Sequence, residues 1–529
     1  MQDQARYWWK LLYVADAKGI IAGLAAHSGQ ISVGLSQGFS AILVPKLLKS
    51  NFAGINEASW VASLGVISNP LGAFIAGITA ECMGRRSAIA LATLPHVTGW
   101  LLIAFAHDVP TLYAGRFIGG IGTGMANALY LYVTEAAAPH QRAWLASAGP
   151  ILVSFGVLGI YALGALTTWH SSAAISIIPA IISLALTRVI PESPAWLVRK
   201  NRLNEAKQAL LWLRGPGLDC EDEYKQLCTS SIKQSEKKSE NLSKVIKTIW
   251  KPFIILFLFF ALQQMCGIYV ILFYAVNFLK DIGTDIDEYV ASVGISIIRL
   301  AAAILGAGLA NHFGRKCLAC TSGLGMALSS GGIAFAIKYQ GIPKWVPLIC
   351  IALHVAFSMI GYLTLPWVMT SELYPLQYRS TAGGLTTAIA QVMTFAAIKF
   401  YPHMNSLIGF EATLYIFTVA ALVGALFASF ILPETKGKSL EEIGKGFSSS
   451  NLQNSVNSGI IVSDRFSTIP DDKYVIYPND IVMPKEYNNL GMDLSDEKDV
   501  VLSSNDVGSN SDNRDVGVFK ISTLEHGFI

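Results

Sequence analysis

Residues 253–274 read FIILFLFFALQQMCGIYVILFY. A helix needs about 20 apolar residues to cross a bilayer, and this stretch reaches that length without a single charge. Only Gln263 and Gln264 break its apolar character. Extended to 278, it is one of twelve such stretches, at 20–44, 60–80, 87–106, 111–134, 144–167, 172–190, 253–278, 289–310, 317–337, 346–369, 381–401 and 409–432. The 529-residue chain is 52% hydrophobic and 14% charged. Soluble proteins carry about 25% charged residues, so there is too little charge here to coat several soluble domains. Disordered, collagen-like and small disulfide-stapled classes are excluded on the same arithmetic. The reading is an all-α membrane protein with twelve transmembrane helices, its first partner the lipid bilayer.

The net charge of +3 gives no reason to expect nucleic acid. The seven cysteines are scattered; Cys317 and Cys320 have no second pair and no histidine pattern beside them, so no metal is expected and no cofactor is implied. The first apolar run follows Arg6, Lys10 and Lys18 and lacks a small-residue cleavage pattern, which marks it as a membrane helix rather than a removable signal. Residues 191–251 are charged and mildly helical. Residues 448–529 are rich in Ser, Asn and Asp, with 13 acids against 6 bases, and lack the apolar content for a core. The expected organisation is a cytosolic N-terminus at 1–19, a six-helix half at 20–190, a cytosolic helical linker at 191–251, a second half at 252–447 and a disordered cytosolic tail at 448–529.

Basic residues orient the chain. Short loops on one side hold Arg85, Arg86, Arg142, Arg315, Lys316 and Arg379, and both termini fall on that side. The opposite loops hold only Lys46, Lys49, Lys280, Lys338, Lys344 and Lys399. Positive loops stay inside, so the first side is expected to be cytosolic, in a multi-pass protein of the plasma membrane.

The two halves repeat each other. Gly84-Arg85-Arg86 is echoed by Gly314-Arg315-Lys316, Glu135 and Arg142 by Glu372 and Arg379, and Pro191-Glu192-Ser193 by Pro433-Glu434-Thr435. Repeated halves with a site between them are a transporter architecture. Every repeated feature lies at the expected cytosolic ends of helices, where charge-assisted hydrogen bonds can latch the halves together. The plainer reading is that the bases set topology, which leaves the recurrent Glu/Arg spacing unexplained.

These residues resemble the sugar porter family of the major facilitator superfamily over 20–445. The resemblance rests on Gly77…Glu81-Cys82-Met83-Gly84-Arg85-Arg86, Gly115-Arg116-Phe117, Glu135…Arg142, Pro191-Glu192-Ser193-Pro194-Ala195-Trp196-Leu197, Gln263-Gln264-Met265-Cys266-Gly267, Pro366-Trp367 and Pro433-Glu434-Thr435-Lys436-Gly437. Pro150, Gly156-Val157-Leu158 and Gly267…Phe273-Tyr274 are most similar to the arthropod facilitated trehalose transporters. The resemblance implies the major facilitator fold and a sugar as small-molecule substrate. It also implies a cytosolic gate of Glu81, Arg85, Arg86, Glu135, Arg142, Glu192, Arg315, Glu372, Arg379 and Glu434, and a sugar site at mid-membrane.

On sequence alone Gln263 and Gln264 read equally as interhelical glue or as a ligand pair, because amides in hydrocarbon must find partners. The resemblance implies ligands. Much of the rest of the implied site is rewritten: the family's amide five residues after Gln264 is Tyr269, that of the eighth helix is Arg299, and the Asn-Trp pair of the eleventh is Ala390-Gln391. Trp367 is expected to stack on a sugar ring, with an interfacial belt as the alternative. An arginine at mid-membrane is costly unless it faces a cavity or a partner, so Arg299 is expected in the central cavity within reach of Gln263 or Gln264. Arg116 reads equally as a cavity residue or a snorkelling one, and His96 and His354 as packing. No nucleophile, base and orienting group form an enzyme's set. The leading expectation is a facilitative uniporter for trehalose or a related sugar. The alternatives are a sugar sensor signalling through the tail and a proton-coupled symporter. Symporters of the family resemble one another in an acid on the first helix, where this chain has Ser36 and Gln37.

Overall fold

The computed structural model describes residues 17–215, 218–235, 242–339, 341–374, 379–436, 474–476 and 482–484. The twelve expected crossings are present as helices. Span 1 is Ala17–Lys49, span 2 Ile55–Cys82, span 3 Arg85–Ala104 and span 6 Trp169–Val189. Span 4 is Val109–Met125 continued by Asn127–Ala136, and span 5 is Pro139–Leu166. Span 7 runs through Leu242–Met265, Ile268–Phe273 and Ala275–Ile282. Spans 8 and 9 are Glu288–His312 and Arg315–Lys338. Span 10 is Trp345–Ile360 with Leu365–Leu373, span 11 is Arg379–Ile408 and span 12 is Phe410–Phe430. Among the described residues, eleven helices are long and apolar enough to cross a membrane. The exception is span 4, whose apolar character is diluted by Arg116, Glu135 and a run of glycines.

Several spans outrun their expected limits, span 7 most of all. Hydropathy marks only the stretch inside hydrocarbon, whereas backbone hydrogen bonding carries a helix on into water. The linker forms three helices, Pro194–Arg199, Leu203–Arg214 and Leu218–Ser235. In the tail, Tyr474–Ile476 pairs antiparallel with Val482–Pro484, Val475 facing Met483. The expectation of disorder there otherwise falls outside the described residues.

Lipid tails are as apolar as Leu, so the spans hold together by close packing rather than by expulsion from water. Spans 1 and 5 meet where a Cβ on Gly34 would strike the Val153 carbonyl and one on Gly156 the Ile31 carbonyl. Spans 9 and 12 meet at Gly323 and Ala425. Large side chains point outward instead, Phe74, Leu328 and Phe430 being at least two-thirds exposed. The halves touch chiefly through span 5 on span 8, span 2 on span 11, and span 1 on span 7. Below, the end of the bundle carrying both Gly-Arg motifs is called the motif face.

Candidate gate and substrate site

Each Gly-Arg motif opens a span. Gly84 has φ +102°, a conformation that favours glycine, and a Cβ on it would collide with the Glu192 carboxylate. With the glycine in place, Glu192 Oε1 accepts from the backbone N–H groups of Arg85 at 2.8 Å and Arg86 at 3.0 Å. An anion thereby caps the positive end of the span 3 dipole. The Arg85 side chain is buried and donates through Nε and Nη2 to the two oxygens of Glu135, each at 2.9 Å. Its Nη1 donates to the Ala80 carbonyl at 2.7 Å and to Glu81 at 3.3 Å. Glu135 also accepts from Ser193 Oγ and, at 3.4 Å, from Arg199. Arg86 donates to the Arg188 carbonyl at 3.1 Å, and Arg142 is exposed.

The second half repeats this cage. Glu434 accepts from the backbone N–H groups of Arg315 at 2.9 Å, Lys316 at 3.1 Å and Lys436 at 2.9 Å, and a Cβ on Gly314 would again meet that carboxylate. Arg315 Nη2 donates to Glu372 at 2.9 Å, and Thr435 Oγ1 donates to the other Glu372 oxygen at 2.5 Å. Burial pushes the Glu434 carboxyl up, but the backbone donors of Lys436, Arg315, Lys316 and Thr435 outweigh it and hold the group below its ordinary value. Among the described residues these carboxylates bond inside their own half; the side chain of Arg379 lies outside the described residues.

The central residues lie deeper. Gln263 is fully buried and its amide donates to the carbonyls of Tyr362 at 2.6 Å and Leu363 at 3.2 Å. Those carbonyls are freed where span 10 unwinds over residues 361–364. Gln264 donates to Gln263 Oε1 at 3.2 Å, while its own buried carbonyl oxygen has no partner. Just beyond, Gly267 at φ +77° breaks span 7, and a Cβ there would strike the Phe417 ring. Arg299 is 6% exposed. Its Nε donates to Ser154 Oγ on span 5 at 3.4 Å, and it interacts with the side chains of Tyr161 and Tyr269. Tyr269 in turn lies beside the Trp367 side chain, and Trp367 meets the Phe260 ring edge-on with centroids 4.9 Å apart. Gln391 pairs with Asn69 of span 2 at 3.2 Å. Turned so that its nitrogen faces the Gly65 and Gly120 carbonyls, the Asn69 amide reaches them at 2.6 and 2.9 Å.

Towards the opposite face, bonds cross between the halves. Lys399 of span 11 donates to Asn56 and Ser59 of span 2, and Tyr161 of span 5 donates to the Leu272 carbonyl of span 7 at 2.7 Å. Trp60 of span 2 packs on Phe395 of span 11.

The family model described as "Sugar (and other) transporter" matches residues 36–447. The chain belongs to the sugar transporter family. It is 30% identical over 435 residues to the facilitated trehalose transporter Tret1 of Bombyx mori, covering 80% of this chain and 86% of that protein. It is also 30% identical over 441 residues to Tret1 of Apis mellifera ligustica, covering 81% and 88%. Among solved structures it is similar to the proton:xylose symporter XylE of the major facilitator superfamily, bound to 6-bromo-6-deoxy-D-glucose. That match has a TM-score of 0.69 and 23% identity and covers 82% of this chain and 99% of that one. An inward-open XylE from E. coli gives a TM-score of 0.67 at 23% identity over 80% and 98%. These likenesses establish the fold.

For this sugar transporter the expected central set divides in three. Arg299, Tyr269 and Trp367 lie near one another at the junction of spans 5, 7, 8 and 10. Gln263 is engaged by span 10, and Gln264 keeps a free acceptor. Gln391 belongs to a separate contact with Asn69. Arg299 itself is bonded to Ser154 of span 5 and interacts electrostatically with Tyr161 and Tyr269. Arg116, left open between cavity and snorkelling, is buried and bound by the Val61 and Ser36 carbonyls, each at 3.0 Å, and by Ser40 Oγ at 2.7 Å. Asn69, Ser154, Tyr161 and Lys399 were not singled out by their sequence. The available signal was a polar group inside an apolar stretch, which Asn69 and Lys399 both show.

Proposed function

We propose that the chain is a facilitative carrier that moves trehalose or a related sugar by alternating access across the plasma membrane, with the motif face in the cytosol. The observation that carries this reading is the distribution of bonds. Among the described residues, the halves are tied together at mid-depth and towards the opposite face, while the charged cages of the motif face close within each half. That is one end state of a rocking pair, open towards the cytosol. In the other end state the rims carrying Glu135 and Glu372 approach, and Arg142 and Arg379 supply cations for a latch between them. Such water-exposed pairs contribute about 0–1 kcal/mol each, weak enough to break in every cycle. The basic loops support the cytosolic placement.

Uniport is favoured by Arg116. Its guanidinium is satisfied by neutral oxygens of spans 1 and 2, and residues 20–44 contain no acid that could exchange a proton with it. Labelled trehalose uptake into vesicles holding the protein tests the reading. Expected are saturable uptake, acceleration by trehalose on the far side, and no effect of a protonophore. Accumulation against a gradient that a protonophore collapses would make it a symporter, and binding without flux would make it a sensor.

A further inference from the structure

A cavity of about 420 Å³ opens on the motif face of the first half, between the ends of spans 3 and 6 and the linker helix Pro194–Arg199. Arg86, Arg188 and Arg202 line it, with Met83, Leu91 and Leu197 as its apolar wall. The acids in it are already engaged. Glu192 accepts from the backbone N–H groups of Arg85, Arg86 and Ser193. Glu205 takes two bonds from Arg202, at 2.7 and 2.6 Å. Arg86 gives one side-chain bond, to a carbonyl. Arg188 is exposed, and among the described residues no carboxylate pairs with either. Two cations therefore face the cavity with donors to spare.

The cavity meets a surface that faces lipid. Ile178, Ile181, Ile182, Leu186 and Val189 form an exposed stripe on span 6. Their spacing puts them on one helical face, and the stripe ends beside Arg188. Leu94 continues the apolar surface on span 3. A ligand with a phosphate at one end and hydrocarbon at the other satisfies both surfaces, because guanidinium forks match phosphate oxygens and basic pockets between membrane helices suit anionic headgroups.

The geometry points to a binding site for an anionic phospholipid, its headgroup phosphate held by Arg86 and Arg188 and an acyl chain laid along span 6. Bound there, the lipid braces span 3 against span 6 and the first linker helix, next to the Glu192 cap.

The full-length protein in nanodiscs tests this with photoactivatable analogues of phosphatidylserine and phosphatidylcholine, the labelled peptides being mapped by mass spectrometry. The serine lipid is expected to label residues 83–91 and 187–197 saturably and in preference to the choline lipid. Arg188→Gln should cut that labelling about fivefold, the worth of one basic residue at an anionic surface, and Arg188→Lys should retain most of it. Equal labelling by both lipids, or labelling indifferent to Arg188→Gln, overturns the assignment. Displacement of the label by inorganic phosphate also overturns it and gives the cavity to a soluble phosphate. The readout is lipid occupancy on either face, so its failure leaves the carrier reading untouched.

Discussion

Lys399 of span 11 donates to the Ser59 hydroxyl of span 2 at 2.7 Å, across the interface between the two halves. The same ammonium reaches Asn56 Oδ1 at 2.8 Å and the Asn56 carbonyl at 3.3 Å, and it lies 4.4 Å from the centre of the Trp60 ring. A lysine with three donors, 7% exposed, is thus fully used by one partner helix. Such a clasp ties the two halves together towards the opposite face.

Lys399→Met keeps the length of the side chain and removes its charge. Hydrogen bonds to a charged group contribute about 1.5–3 kcal/mol, so the variant should favour opening at the opposite face by roughly tenfold or more. A cysteine at the buried Thr394, in a background lacking the native cysteines, should be alkylated that much faster from that side. Unchanged alkylation would mean that the clasp does not set the equilibrium.

The two cages should differ in strength. Arg85 grips both Glu135 oxygens with its own side chain 4% exposed, whereas Arg315 makes one such bond at 21%. Glu135→Gln should therefore destabilise the protein by on the order of 3 kcal/mol, and Glu372→Gln by on the order of 1 kcal/mol. Thermal unfolding in detergent measures both, and equal shifts would contradict the burial argument.

Arg299 presents a cation where the family's amide is expected. Arg299→Asn should free the space beside Ser154, Tyr161 and Tyr269 and move selectivity towards monosaccharides. In competition against labelled trehalose, glucose should gain on unlabelled trehalose by about tenfold, one misplaced polar contact being worth roughly 1–3 kcal/mol. A sugar acid should lose whatever advantage it had in the wild type. Identical competition profiles would assign Arg299 to structure alone.

The Glu434 cap should fail in acid. Its carboxyl is held below its ordinary value of 4.5 in the folded protein. The stabilisation is therefore fully present above the unfolded value and disappears as the pH falls through the folded one. Wild-type unfolding temperature should drop between neutrality and pH values below 4.5, and Glu434→Gln should flatten that part of the drop. A parallel decline in both proteins would show that the backbone donors do not depend on the charge.

The repeat in the sequence located the cages but not their wiring. Glu135 and Arg142 recur together, which singles both out as expected gate residues, yet Glu135 is gripped by Arg85, fifty positions earlier. Only the packing of span 3 against span 4 brings them together. Gln263 shows the same limit. Its amide demands a partner in hydrocarbon, but the partner is a pair of carbonyls that exist as free acceptors only because span 10 unwinds a hundred residues away.

The sequence by itself determined the crossings, the internal repeat, the helical linker and the charge bias between the two faces, because each is a local property of composition and period. Span 4 lies near that limit: its glycines and charges dilute the apolar stretch at 111–134 from which it is expected. Tertiary structure alone decided which half each carboxylate serves, and that Lys399, counted in the sequence among the bases of the opposite face, ties the halves together. It also gave Arg299 the Ser154 hydroxyl of span 5 as a partner. The reason is common to all of these. A polar group in an apolar stretch announces that it needs a partner, and the partner's identity depends on which distant helix the packing carries past it.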